Sequence, residues 1–244
     1  MKKLSWLIMT MIMMSTFTAP ANAQAALLVL LFGEKVASEN FYFSLKVGGN
    51  LANVTGIDDT NMKLGFNFGL LATIKLSDKF SLVPEFAPLS QKGAKDIPYL
   101  PSGNSEVDDV IAPPDASSMD LNYIDIPIIA QYNVTDQLSI GTGPQFGILT
   151  SSNNTYEKNL PDDDQLKYSQ DSQVSWNTFD AGWAFEAVFS LGNARKGKGI
   201  NIHGRYVLGL TDIIKDNQGD AVRNSVFQFF ISLPFMALPE EEGS

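Results

Sequence analysis

Between positions 40 and 235 the chain alternates apolar and polar or small residues over long stretches. The clearest runs from Met62 to Leu76, where Met62, Leu64, Phe66, Phe68, Leu70, Ala72, Ile74 and Leu76 alternate with Lys63, Gly65, Asn67, Gly69, Leu71, Thr73 and Lys75. Beyond Ser77-Asp78 the pattern resumes with Phe80, Leu82, Pro84 and Phe86 against Ser81, Val83, Glu85 and Ala87. A period of two puts successive side chains on opposite faces of a strand, so residues 62–93 read as a long β-hairpin. The same alternation predicts strands at about 40–53, 121–134, 137–150, 176–191 and 199–211, and a last one ending at Phe235. Their connections alternate in length: loop 54–61, turn 77–78, loop 94–119, turn 135–136, loop 151–175, turn 192–198 and loop 212–224. Tight turns on one side and longer loops on the other are the habit of outer-membrane barrels. The predicted fold is all-β: an eight-stranded antiparallel up-and-down transmembrane β-barrel over 40–235, with both ends in the periplasm.

Charge placement decides which face meets lipid. No charged residue stands on the apolar face of any predicted strand, whereas the opposite face carries Lys46, Lys63, Lys75 and Arg205 with Glu85, Asp125, Asp180 and Glu186, among many glycines. A water-exposed surface is about 25–35% charged, and glycine weakens an exposed strand. Small residues with a few balanced charges suit instead the narrow interior of an eight-stranded barrel, which side chains just fill. The equal number of each sign predicts a lumen charge network, since unpaired buried charge is costly; Glu186 with Arg205 is the favoured pair, and Lys46 and Glu85 stand at similar depth. The lumen is expected to be filled rather than open. Trp176, Trp183, Phe66 and Tyr123 toward one rim and Phe43, Phe80, Tyr132, Phe189 and Phe235 toward the other stand as aromatic girdles.

The N-terminus sets the compartment. Lys2 and Lys3, the apolar run Leu4–Phe17 and Ala21-Asn22-Ala23 read as a signal peptide over 1–23. Residues 24–39 follow as an N-terminal segment whose apolar part, 25–32, is expected to form a short periplasmic helix, too brief to cross a bilayer, which takes about 20 residues. Residues 236–244 form an acidic tail. The net charge of −10 argues against a nucleic-acid partner, and the absence of cysteine excludes a disulfide framework and thiolate metal sites.

Most of the negative charge falls in the long loops. Asp108 and Asp109 in one and Asp162, Asp163 and Asp164 in another mark acidic extracellular loops. Calcium binding there would need spaced oxygen ligands, a pattern these runs lack, so solvated acidic loops are expected, with no metal and no cofactor. His203, the single histidine, lies on the inward face beside Arg205; a triad enzyme of the barrel lipase kind would need it paired with Ser or Asp at a membrane-facing or loop position, and no enzyme is expected. The partners expected are outer-membrane lipid and lipopolysaccharide, and proteins of an envelope complex. The two functional readings are a structural or accessory subunit acting through acidic loops or periplasmic termini, and a narrow porin-like channel for small solutes or ions.

Pro84, Pro88, Pro127, Pro144 and Pro234 interrupt predicted strands, each forfeiting a ladder hydrogen bond. The stretches FSLVPEFAPLSQKGAK (80–95), YIDIPIIAQYNV (123–134), GTGPQFGIL (141–149) and RYVLGLTDI (205–213), with the final aromatic strand, resemble the PorT-like, porin-named family of small outer-membrane β-barrel proteins over about 40–235. In-strand prolines are part of that family's pattern. The resemblance implies an outer-membrane location in a Gram-negative bacterium; the family's namesake assists a protein-secretion and gliding-type machine, a role the shared residues do not carry over because they are barrel architecture.

Overall fold

A computed structural model describes residues 40–160, 164–172, 174–192, 194 and 199–235. The expected signal peptide, the helix at 25–32, most of the turn at 192–198 and the tail 236–244 lie outside the described residues. The elements run β1 (Phe41–Thr55), β2 (Asn61–Lys75), β3 (Phe80–Lys95), α1 (Ser105–Ile111), β4 (Ala116–Asn133), β5 (Leu138–Asn159), β6 (Gln165–Asp171), β7 (Phe179–Leu191), β8 (Ile200–Gly209) and β9 (Arg223–Phe235). All pairings are antiparallel, and β1 pairs with both β2 and β9, from Phe43 opposite Phe235 to Thr55 opposite Arg223. With β4 also paired to β5 and β5 to β7, eight strands close into a ring and β6 stands outside it. Closure leaves no strand edge within the ring, as a barrel in hydrocarbon requires.

Two expectations are corrected at the long-connection end. The loop drawn at 151–175 is largely a hairpin: β5 continues to Asn159 and β6 returns along it, Asn153 opposite Asp171. The loop drawn at 94–119 holds α1, and β4 begins at Ala116. Both segments rise beyond the apolar band, where neither strand face meets lipid, so the hydrophobic alternation fades while the backbone pairing goes on. Helix α1 starts where Asn104 accepts the N–H of Glu106 at 3.0 Å, with Glu106 and Asp108 in the first turn, a favourable placement for acids.

Orientation follows the alternation. Leu64, Phe66, Phe86, Phe179, Phe185 and Phe229 are exposed on the outside, Phe179 at 72% and Leu64 at 71%, well beyond what a water-facing surface of this size normally shows. Two of the proposed girdle aromatics do not belong there. Tyr123 shares the inward parity of Asp125 and is buried in the lumen, and Trp176 packs against the buried cluster at the outer end.

Pro84, Pro127, Pro144 and Pro234 stand at regular register positions, opposite Ile128, Gln145, Trp183 and Ser44, and one proline marks an irregularity. Pro88 falls in a register shift of β3 against β4, between Ala87 and Ser90. Pro88 and Leu89 both face outward, so the inward parity moves from odd residues (Val83, Glu85, Ala87) to even ones (Ser90, Lys92, Ala94). This is the effect of a β-bulge, which re-aims every side chain beyond it. Just past it Gly93, at φ +133°, lies so close to the β4 backbone that a Cβ would stand 1.9 Å from the Met119 carbonyl oxygen. Among the described residues no helix is long and apolar enough to cross a membrane; strands alone carry the apolar band.

An outward side chain in mid-strand should therefore tolerate no charge. Phe229→Arg is expected to lower stability by about 2–4 kcal/mol in phospholipid vesicles, read by equilibrium urea unfolding.

Candidate functional site

The lumen is where the chain concentrates its buried polar chemistry. Arg205 on β8 stands opposite Glu186 on β7. Its Nε and Nη2 donate to Glu186 Oε2 at 3.1 and 2.7 Å, and its Nη1 donates to Glu85 Oε2 at 3.1 Å, with Nη2 also on Glu85 Oε1. Lys46, from β1, pairs with Glu85 at 2.9 Å and lies 3.9 Å above the Phe230 ring. All four charged side chains are at most 1% exposed. Ions removed this far from water are held only by near-complete pairing, which the two-carboxylate, two-cation arrangement supplies. Beside it, His203 stacks on Phe230 at 4.2 Å, with Nδ1 on Glu186 Oε1 and Nε2 2.8 Å from Ser232 Oγ.

A second group lies nearer the long connections. Asp125, Gly147 and Asp180 align across β4, β5 and β7. Lys92 pairs with Asp125 at 2.9 Å and approaches Asp180 at 3.7 Å. Gln145 donates to Asp125 at 3.0 Å, while Asn224 and Thr211 donate to Asp180 at 2.8 and 2.9 Å. Of the eight charges expected in one network, the structure thus gathers Lys46, Glu85, Glu186 and Arg205 in one group and Asp125 and Asp180 in another. Lys63 pairs at the outer rim with Asp120, 2.9 Å away and partly exposed. Lys75 lies at the short-turn end, 5.9 Å over the Tyr42 ring. Sequence reasoning missed Lys92 because the bulge at Pro88 inverts its parity; the proline itself was the available signal.

The outer end is sealed. Ile97, Ile111, Met119, Leu121, Tyr156, Ile213 and Val222 close over Tyr123 as one buried apolar cluster, with Tyr99 and Trp176 packed against it. Tyr99 stacks edge-on to Tyr156 at 4.9 Å and donates to Asp108 Oδ1 at 2.6 Å, an oxygen that also accepts the Ser102 N–H at 2.7 Å. The Tyr99 hydroxyl and the Ser102 N–H hold the Asp108 carboxyl below its ordinary range. Burial, followed by the hydrogen bond to Asp108, pushes the Tyr99 phenol up to about 12. Asp108 therefore fastens α1 to the segment before it, whereas Asp109 and Asp164 are exposed. Asp162 and Asp163 lie outside the described residues. Among the described residues no three acidic or imidazole side chains converge as a metal-binding set. At the opposite, short-turn end a cavity of about 40 Å³ enters the lumen between Thr73, Lys75, Ser81, Ser190, His203 and Ser232.

A ring of eight strands, lipid-coloured outside and ionic within, agrees with what family comparison finds. The model of the outer membrane protein beta-barrel domain matches residues 26–215. The chain belongs to that family. It is an all-β outer-membrane barrel of the Gram-negative type. None of the curated proteins matches this outer membrane barrel in sequence. Among solved structures it is similar to Ail, the attachment invasion locus protein of Yersinia pestis, at 12% identity over 80% of this chain and 98% of that one, with a TM-score of 0.40. It is also similar to OprG from Pseudomonas aeruginosa, at 13% identity over 80% and 95% with a TM-score of 0.42. For Neisserial surface protein A the values are 11%, 82%, 99% and 0.41.

The two ends of the barrel should respond to different perturbations. Arg205→Met leaves two buried carboxylates without their shared partner and is expected to cost about 3–5 kcal/mol, while Lys63→Met, at the wet rim, should cost less than about 1 kcal/mol; urea unfolding in vesicles compares them. Because the folded-state pKa of Asp108 is depressed, its contribution is present above the unfolded carboxylate range and lost as pH falls through the depressed value. Hydrogen exchange of residues 98–112 should therefore rise in acid while the strands stay protected, and Asp108→Asn should show the raised exchange already at neutral pH.

Proposed function

We propose that this barrel works as an accessory subunit of an envelope complex, presenting its sealed and acidic outer end to a protein partner, with its termini on the periplasmic side. One observation carries the reading: the lumen is filled along its length. Among the described residues the Arg205 group, the Lys92 group and the apolar cap follow one another, and the small cavity lies at the short-turn end. A barrel blocked in this way transmits nothing of solute size, so its outer surfaces carry the accessory role. The outer surface is built to be stable, because α1 buries Ile111 and is fastened through Asp108, while Glu106 and Asp109 point to solvent. Rigid loops bind with less ordering cost than mobile ones.

The proposed setting, a secretion-related complex, follows the namesake of the PorT-like family and not the shared strand stretches. Lipid and the lipopolysaccharide leaflet surround the apolar band. The competing reading, a narrow channel, requires the Arg205 and Lys92 groups to separate, which would strand several charges in a low-dielectric interior.

Planar-bilayer recordings of the purified barrel should show no conductance steps; ion-selective steps would reverse the choice between the two readings. Extraction of the native protein in mild detergent should retain a protein partner, and Glu106→Gln with Asp109→Asn should release it without changing barrel stability.

A further inference from the structure

The short-turn end of the lumen holds an arrangement that charge pairing does not require. Glu186, His203 and Ser232 come from β7, β8 and β9, three successive strands of the ring. A carboxylate only accepts, so His203 Nδ1 carries the proton toward Glu186, and Nε2 is left to accept from the Ser232 hydroxyl at 2.8 Å. This is the order of groups that activates a serine: hydroxyl, imidazole, orienting carboxylate. Glu186 is itself fixed by Arg205, and the imidazole plane is set by Phe230, stacked at 4.2 Å and 12°. Asn201, cross-strand from Ser232, points its Nδ2 at Ser232 Oγ from 3.3 Å, while its own carbonyl oxygen is held by Ser190 at 2.8 Å. This amide N–H holds the Ser232 oxygen in place while its hydroxyl points to His203. Ser190, Asn201, His203 and Ser232 all line the cavity that enters from the short turns.

We propose that Ser232 is a nucleophile for small acyl esters reaching it from the periplasmic mouth, with His203 as general base and Glu186 and Asn201 as positioning residues. The cavity, about 40 Å³ where one water needs about 10–15 Å³ on the same measure, admits only a small acyl group, with the alcohol portion left in the mouth. As the Ser232 oxygen bonds to the carbonyl carbon, its proton passes to His203 Nε2 and the carbonyl oxygen becomes an oxyanion. Collapse breaks the bond to the alcohol oxygen, which leaves with the proton from Nε2, and Ser232 carries the acyl group. Water, deprotonated by the same nitrogen, then releases the carboxylic acid and restores the serine. The balance is ester plus water to acid plus alcohol. This chemistry is independent of the docking role proposed for the outer end.

The test uses the full chain folded in detergent, with each variant's fold checked by heat-dependent gel mobility. Methanesulfonyl fluoride should modify the peptide containing Ser232, and p-nitrophenyl acetate should be hydrolysed. Ser232→Ala should abolish both; His203→Gln should slow both roughly 100-fold, the usual worth of a general base. Lys63→Met, at the outer rim and away from the cavity, should react as the wild type. Folded wild-type protein unlabelled at Ser232, or His203→Gln reacting as fast as wild type, would overturn the proposal.

Discussion

Everything in this molecule depends on filling a tube that closure makes too narrow to leave empty and too polar to leave unpaired. Closing the ring through β1 and β9 satisfies the backbone in a medium without water. The inward face then receives every second residue of eight strands, whether or not its side chain suits a confined space. Gly69, Gly143, Gly147, Gly182 and Gly209 stand where a Cβ would meet a neighbour at 3.0 Å or less, among them Gly147 between Asp125 and Asp180. At Gly147 that space is taken by Asp125, Tyr123 and Asp180, and at the other four by the adjacent strand, so the missing Cβ lets neighbouring strands approach. The lumen itself is crossed by long charged side chains, Arg205 to Glu85 and Lys92 to Asp125.

Charge balance and steric balance need not coincide, and the two ionic groups show the difference. Around Phe230 two carboxylates face two cations, each carboxylate shared. Around Lys92 one cation serves two aspartates, and neutral donors from Gln145, Asn224 and Thr211 make up the remainder. Hydrogen bonds from neutral groups stabilise an ionised carboxylate without adding another ion to desolvate. The first group is closed among its own charges; the second leans on the surrounding amides.

How much of this was legible in the residues depends on whether a feature is local. Strand identity, the ring and the lipid-facing side follow from period-two alternation, which each strand carries by itself, as Phe179 to Leu191 does. The juxtaposition of Glu186 and Arg205 could be anticipated because β7 and β8 join through a short turn, so cross-strand depth can be counted. Lys92 could not be counted that way: its depth depends on a bulge at Pro88, and a bulge is a relation between strands rather than a property of one. The β5–β6 hairpin and α1 were hidden for another reason. Above the apolar band no solvent contrast imposes a period, and Asn, Thr, Ser and Gln read as loop although the backbone pairs to Asn159. His203 was visible as a single inward histidine; its alignment between Ser232 and Glu186 requires three strands in register at once.

The barrel is thus asymmetric along its axis, and the asymmetry follows from what each end must keep out. At the outer end the β5–β6 hairpin and α1 bring Tyr99, Ile111 and Tyr156 over the lumen, and the cost of a buried phenol is met by handing its hydroxyl to Asp108. At the short-turn end the strands stop with Ser44, Ser81, Ser190, Asn201 and Ser232 facing inward, side chains too short to meet across the ring. A cavity at that end follows from tight turns and small polar side chains, and the ionic layer above it makes the cavity a dead end rather than a passage. Groups that border such a space keep the hydrogen-bond geometry of a buried network while remaining reachable from one side, which is the combination a reactive side chain needs.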